Sequence, residues 1–162
     1  MAQKEAAPIT ANRALYLELG GNGIYYSVNY EQIFFQKGSF RAAARIGVSA
    51  APRRVAAKNY FSASIPLEVT AFWGRKNHFA ELGVGYTPWL LPDTRFNLSR
   101  AELEYESYKV TSIVPFRIGY RYQKSEGGFF FRIAYMPTLD FTADRNSALV
   151  PLFGGISIGK SF

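Results

Sequence analysis

Nine of the charged residues in stretches where apolar residues recur at every second position share one parity. They are Glu18, Glu31, Arg41, Arg45, Glu68, Glu81, Arg117, Arg121 and Arg132. Their own parity is rich in Gly, Ala, Ser and Thr, while the opposite parity carries aliphatic and aromatic residues. A period of two marks strands whose two faces meet different surroundings. In a soluble antiparallel sheet the charges would face water and the aliphatics a core. In a closed membrane barrel the sense reverses: aliphatics meet lipid and charges meet one another inside. The apolar face is nearly uninterrupted, and the charges are flanked by small residues. Both features suit a crowded, narrow lumen.

Taken in order, the alternation predicts eight strands, near 14–20, 24–34, 40–49, 60–73, 80–87, 110–122, 129–136 and 150–162. The expected class is therefore all-β, an eight-stranded antiparallel up-and-down transmembrane β-barrel over residues 13–162. A flexible mature N-terminus, residues 1–12, would precede it, the export signal having been removed. Tight turns are expected at Gln36–Ser39, Gly74–Asn77 and Lys124–Gly128, and at Gly20–Gly23 after the first strand. Longer links are expected at 51–59, 89–108 and 140–148, the second forming either a helical turn within 98–105 or extensions of its strands. Short turns at one end and long loops at the other are the habit of membrane barrels. Pro66, Pro88, Pro115, Pro137 and Pro151 all map to the long-link half, which should be bulged or locally unpaired, since proline cannot donate to a ladder.

An eight-stranded barrel has room inside for side chains and little else. Five arginines and four glutamates there are costly unless paired, so the nine charges are expected to interlock and plug the lumen. Aromatic residues gather at strand ends. Phe34, Phe35, Phe40, Phe72, Trp73, Phe79, Tyr120, Tyr122, Phe129 and Phe162 lie near tight turns, and Tyr60, Phe61, Tyr86, Trp89, Tyr108 and Tyr135 near long links. That is the placement of two interfacial belts, for which Trp73, Tyr120, Tyr122, Trp89 and Tyr86 are the leading residues.

Composition removes other classes. Apolar residues make up 48% of the 162, but no run approaches the roughly 20 that a spanning helix needs. The net charge of +7 is dispersed, which argues against nucleic acid and equally suits an anionic lipid surface. The chain has no cysteine and a single histidine, His78, at a tight turn. No metal site, cofactor or nucleophile–base pair can be read from the spacing. The glycines at 20, 21 and 23 lack the helix and lysine of a phosphate loop.

The last thirteen residues alternate Val150, Leu152, Gly154, Ile156, Ile158, Lys160 and Phe162 against Pro151, Phe153, Gly155, Ser157, Gly159 and Ser161. With the closing Phe162, this resembles small eight-stranded outer-membrane barrels of the OmpA-transmembrane or OmpW-like kind. Lys160 departs from that pattern and would snorkel toward an interface. The resemblance implies the outer membrane of a Gram-negative bacterium, both termini in the periplasm, and Phe162 as the signal read by the barrel assembly machinery. It implies a lipid bilayer and lipopolysaccharide as partners, with Arg53, Arg54, Lys58, Arg95 and Arg100 on the loops. It also allows contact with other envelope proteins. The expected role is structural or interaction-based and non-enzymatic. Two alternatives are a narrow channel for small solutes or ions and a soluble lipocalin-like barrel for an apolar ligand, although the Gly-x-Trp signature of lipocalins is absent. Lipid-modifying barrel enzymes use a His and a Ser near the outer leaflet, and His78 is at the wrong end for that chemistry.

Overall fold

The computed structural model of the chain describes residues 8–23, 25–55, 58–97, 102–141, 148–151 and 153–162. Eleven strand segments run through them: β1 (Arg13–Gly20), β2 (Tyr26–Lys37), β3 (Phe40–Val55), β4 (Lys58–Ser64), β5 (Leu67–Arg75), β6 (His78–Asn97), β7 (Glu102–Gln123), β8 (Gly128–Tyr135), β9 (Thr138–Asp140), β10 (Ala148–Val150) and β11 (Gly154–Ser161). Three pairs of segments are single staves broken near a proline. β4 runs into β5 across Ile65–Pro66, β8 into β9 across Met136–Pro137, and β10 into β11 past Pro151. Eight staves result, each antiparallel to both neighbours. Leu17 of β1 pairs with Val28 of β2 on one side and with Ile158 of β11 on the other, so the sheet closes on itself.

On the long-link half Pro66, Pro137 and Pro151 fall in breaks between strand segments as expected, whereas Pro88 and Pro115 stay in register, opposite Ser112 and Thr138. Where Pro66 interrupts its stave, its carbonyl still accepts a hydrogen bond from the Gly47 amide at 2.8 Å. Between β6 and β7 the ladder passes from Val84↔Phe116 to Thr87↔Ile113 and skips the residues between, beside Pro115. The tight-turn half is regular. Gly38–Ser39 and Lys76–Asn77 are two-residue loops, and Gly38 and Lys76 take the positive φ that such loops need at their first position. One irregularity lies in β2, where the register slips between Ile33 and Phe35 and turns both Phe34 and Phe35 outward.

The structure changes the expected links. Residues 51–55 continue β3, and Ala50, Ala51 and Pro52 pair with Ala63, Ser62 and Phe61 of β4. The expected link at 89–108 is mostly ladder: β6 runs for 20 residues and β7 for 22, with a bulge at Asp93/Thr94. Both strands are about twice the roughly 9–11 residues that a membrane-spanning strand needs. Residues 102–105 are strand, which rules out a helical turn there; residues 98–101, like Ile24 and Leu152 of the expected strands, lie outside the described residues. The Gly20–Gly23 turn is a 3-10 turn folded into the barrel, with Gly21, Asn22 and Gly23 buried.

Residues 1–7 are outside the described set, but Pro8–Asn12 is not the flexible tail expected over 1–12. It crosses the tight-turn mouth as an inward-folded strap. Ile9 packs with Ile33, Ala43, Phe72 and Phe79 and is 2% exposed. The Gln36 side chain clasps its backbone from both sides, accepting from the Ile9 amide at 3.0 Å and donating to the Ile9 carbonyl at 2.9 Å. Gln123 Nε2 donates to the Ala11 carbonyl at 3.0 Å, and the Thr10 and Ala11 amides donate to the Ser125 carbonyl. Ile9 is the sequence signal for this seat: an isolated apolar residue in a polar segment needs somewhere to be buried.

Candidate functional site

The lumen is built by alternation. On each stave the residues of one parity point inward, and the charged residues singled out in the sequence all lie there. Glu18, Glu31, Arg41, Arg45, Glu68, Glu81, Arg117, Arg121 and Arg132 are each at most 4% exposed. The opposite face is apolar and open: Leu15, Leu17, Val48, Val69, Leu82, Ile118 and Ile158 are among its exposed side chains. The barrel is thus inverted relative to a soluble protein.

Eight of the nine charges join one mesh. Arg45 reaches Glu18 at 2.9 Å and Glu68 at 2.5 Å. Arg117 holds the same two carboxylates, at 2.6 Å and 2.5 Å. Arg121 grips Glu31 with both terminal nitrogens, at 2.5 and 3.0 Å, while its Nε donates to Glu81 at 2.9 Å. Arg132 binds Glu31 at 3.1 Å and Glu81 at 2.8 Å. Two carboxylates therefore sit between two guanidinium groups in each half of the mesh, and the 3.9 Å approach of Arg117 to Glu81 joins the halves. Charge-assisted, multidentate pairs of this kind are the strong class of hydrogen bond. Arg41 lies toward the tight-turn end, donating to the Ser39 carbonyl at 3.1 Å with its guanidinium 4.9 Å from the Phe79 ring centre.

Every stave contributes. Glu18 comes from β1, Glu31 from β2, Arg45 from β3, Glu68 from β5, Glu81 from β6, Arg117 and Arg121 from β7, and Arg132 from β8. Ser157 of β11 completes the circuit by donating to Glu18 at 3.2 Å. Arg121 and Arg132 are direct register partners on β7 and β8, a like-charge placement that is unfavourable by itself. It is tolerated because Glu31 and Glu81 lie between them.

Three neutral residues that sequence reasoning did not single out also belong to the mesh. Tyr16 accepts from Arg132 Nη2 at 2.8 Å and from Arg45 Nη1 at 3.3 Å, tying the two halves through one hydroxyl. Asn22, brought inward by the 3-10 turn, donates through Nδ2 to Glu68 at 2.5 Å and through its amide to Glu18 at 3.3 Å. Gly21 has φ +63°, and a Cβ there would lie 2.6 Å from the Glu18 carboxylate, so both backbone and space call for glycine. The parity of Tyr16 was legible and its partners were not; Gly21 and Asn22 fell in an expected turn. Removing the Tyr16 hydroxyl leaves hydrogen-bonding capacity of two buried guanidinium groups unmet. Tyr16→Phe is expected to cost about 1.5–3 kcal/mol, read as a lower urea midpoint with the fold retained.

Below the mesh, toward the tight turns, the lumen is aromatic. Phe72 and Phe79 meet edge to face at 5.5 Å, Tyr16 stacks on Phe130 at 4.9 Å, and the Arg121 guanidinium lies 4.0 Å from the Phe72 ring centre. Phe72 and Phe79, assigned to the belt by their position near turns, are 0% and 1% exposed and belong to this plug. Trp89 is likewise corrected. At 4% exposure it faces inward, because β6 continues past Thr87 and carries the inward parity on to residue 89. Of the other leading belt residues, Trp73, Tyr86 and Tyr120 are exposed and Tyr122 is half-buried. Phe162 is exposed, and its amide and carbonyl both pair with Arg13 at the β1–β11 seam. His78 is exposed and its Nδ1 lies 2.6 Å from the Tyr120 hydroxyl. Of the loop basic residues, Arg54 and Lys58 are exposed, while the side chains of Arg53 and Arg95 and all of Arg100 lie outside the described residues.

No protein-family model matches the chain, and no curated protein sequence matches it. Among solved structures, the N-terminal β-barrel domain of Pseudomonas aeruginosa OprF is similar in fold, with a TM-score of 0.53 and 10% sequence identity over 93% of this chain and 95% of that one. At that identity the likeness is one of architecture, and it supports the general OmpA-like part of the sequence resemblance. The chain therefore has the fold of an eight-stranded, outer-membrane-type β-barrel.

Proposed function

We propose that this protein is a non-enzymatic integral barrel of the bacterial outer membrane, spanning the bilayer with its lumen sealed. It would serve as a structural or interaction element of the envelope, with tight turns and both termini in the periplasm. The observation that carries the reading is the inversion of the two faces. An apolar outer wall costs free energy in water and gains it in lipid, whereas the inner wall buries nine charges that lipid would reject. A lipocalin-like binder needs an apolar interior, and the interior here is ionic. A channel needs a continuous wet path; the mesh, the aromatic plug and the N-terminal strap lie in series across it. The bilayer, lipopolysaccharide around the long-link end, the assembly machinery and other envelope proteins are the partners that fit this reading.

Two measurements test it. Unboiled protein in detergent should migrate apart from boiled protein on a gel, as a closed barrel that resists the detergent does. The refolded protein in a planar bilayer should show no conductance steps. Absence of the gel shift, with the protein folded and soluble without detergent, removes the membrane assignment. Reproducible conductance steps would leave the membrane assignment standing and sink the sealed lumen.

A further inference from the structure

We infer that the tight-turn rim of the barrel is a binding annulus for anionic phospholipid headgroups, an inference that rests on the membrane-spanning reading. The rim carries six exposed basic side chains: Arg13, Lys37, Arg75, Lys76, Lys124 and Lys160. Glu126 is the exposed acidic residue among the described residues of that end. None of the six has an ion-pair partner among the described residues. Six cations against one anion account for most of the chain's net charge of +7, while the lumen contributes five against four. At the opposite end the charges of the described residues balance, with Arg53, Arg54, Lys58, Arg95 and Lys109 against Asp93, Glu102, Glu104, Glu106 and Asp140. The charge asymmetry of the sequence is thus an asymmetry between the two ends of the barrel.

The distribution of these side chains identifies the partner. They come from the start of β1, the β2–β3, β5–β6 and β7–β8 connections and the end of β11, and so encircle the barrel. A protein partner would be met by a patch on one side; a ring matches an annulus of lipid. The apolar wall begins beside it, with Phe35, Phe40, Trp73, Tyr120 and Phe129 exposed at the same end. Lys160 projects from the outer face itself, between its register partners Leu15 and Phe129, so its stem can run along apolar surface while its ammonium reaches the headgroups. Exposed cations near a charged membrane surface attract anionic lipid over about one Debye length, so the preference should be strongest in dilute salt.

Trp73 is a built-in reporter, because it lies on the outer face two residues from Arg75, whereas Trp89 faces the lumen. The full chain is refolded into phosphatidylcholine vesicles containing phosphatidylglycerol, and either lipid is supplied in dibrominated form to quench tryptophan. A Trp89→Phe variant isolates Trp73; if that variant fails to fold, wild type is compared with Trp73→Phe. At equal bulk mole fraction and low salt, brominated phosphatidylglycerol should quench about twice as well as brominated phosphatidylcholine. The excess should vanish near 0.5 M salt and in a Lys37→Gln, Arg75→Gln, Lys76→Gln, Lys124→Gln variant. Equal quenching by the two lipids in wild type overturns the inference, as does a preference that survives in the neutralised variant. Quenching by neither lipid overturns the membrane span itself, and the annulus with it.

Discussion

Arg132→Leu is expected to destabilise the refolded barrel by about 3–5 kcal/mol, the loss typical when one partner of a buried ion pair is removed. Arg132 is fully buried and holds Glu31, Glu81 and the Tyr16 hydroxyl at once. Without it, Glu31 and Glu81 keep Arg121 but lose the second cation that balances them, in a lumen with no bulk water to take its place. The measurement is a urea titration of protein refolded in vesicles, with the heat-dependent gel shift as an independent check of closure. Pairing the change with Glu81→Leu should give a loss clearly smaller than the sum of the two single losses, because removing both charges restores the balance. An unchanged midpoint for Arg132→Leu would mean that the mesh carries no net constraint, and the picture of an ionic plug would fail.

Phe72→Ala should cost about 3–5 kcal/mol, as for other buried aromatic truncations, and should differ sharply from its neighbour Trp73→Ala. Phe72 is 0% exposed, meets Phe79 edge to face and underlies the Arg121 guanidinium at 4.0 Å. Its removal opens a cavity between the mesh and the strap and strips a cation–π contact from the most heavily engaged arginine of the network. Trp73 is 41% exposed on the other face of the same strand, and its loss should be felt mainly in contact with lipid. The pair therefore tests the facing of β5 one residue at a time. Equal losses, or a larger loss at Trp73, would show that the strand presents its other side to the lumen.

Strand number, the closed up-and-down order and the facing of the charges were all legible, because each depends on a local period of two. Glu68 and Arg117 could be placed inside without knowing that they touch. Their pairing, like that of Arg121 with Glu31, spans the lumen between residues 49 and 90 positions apart, and depends on strand tilt and stagger that no local pattern encodes. Trp89 was misplaced because its strand was ended too soon at a proline, although ladder pairing continues through Pro88 and Pro92. Phe72 and Phe79 were misplaced by counting distance from a turn instead of parity. Asn22 and Pro8–Asn12 were missed for a common reason: turns and termini were taken to lie outside the barrel, whereas here both fold inward to use its polar groups.

The ring of contacts through all eight staves also bears on how the proposed membrane span would form. Glu18 on the first stave finds cations on β3 and β7, and Glu31 on the second finds its cations on β7 and β8. A sheet assembled one hairpin at a time would therefore hold Glu31 without its ion-pair partners until β7 and β8 arrive, and exposing a carboxylate to hydrocarbon is strongly unfavourable. Partly inserted intermediates that lack β7 and β8 are thereby disfavoured. Insertion and closure should behave as one cooperative event, with the inward charges acting as a gate against premature entry as well as a filling for the finished barrel.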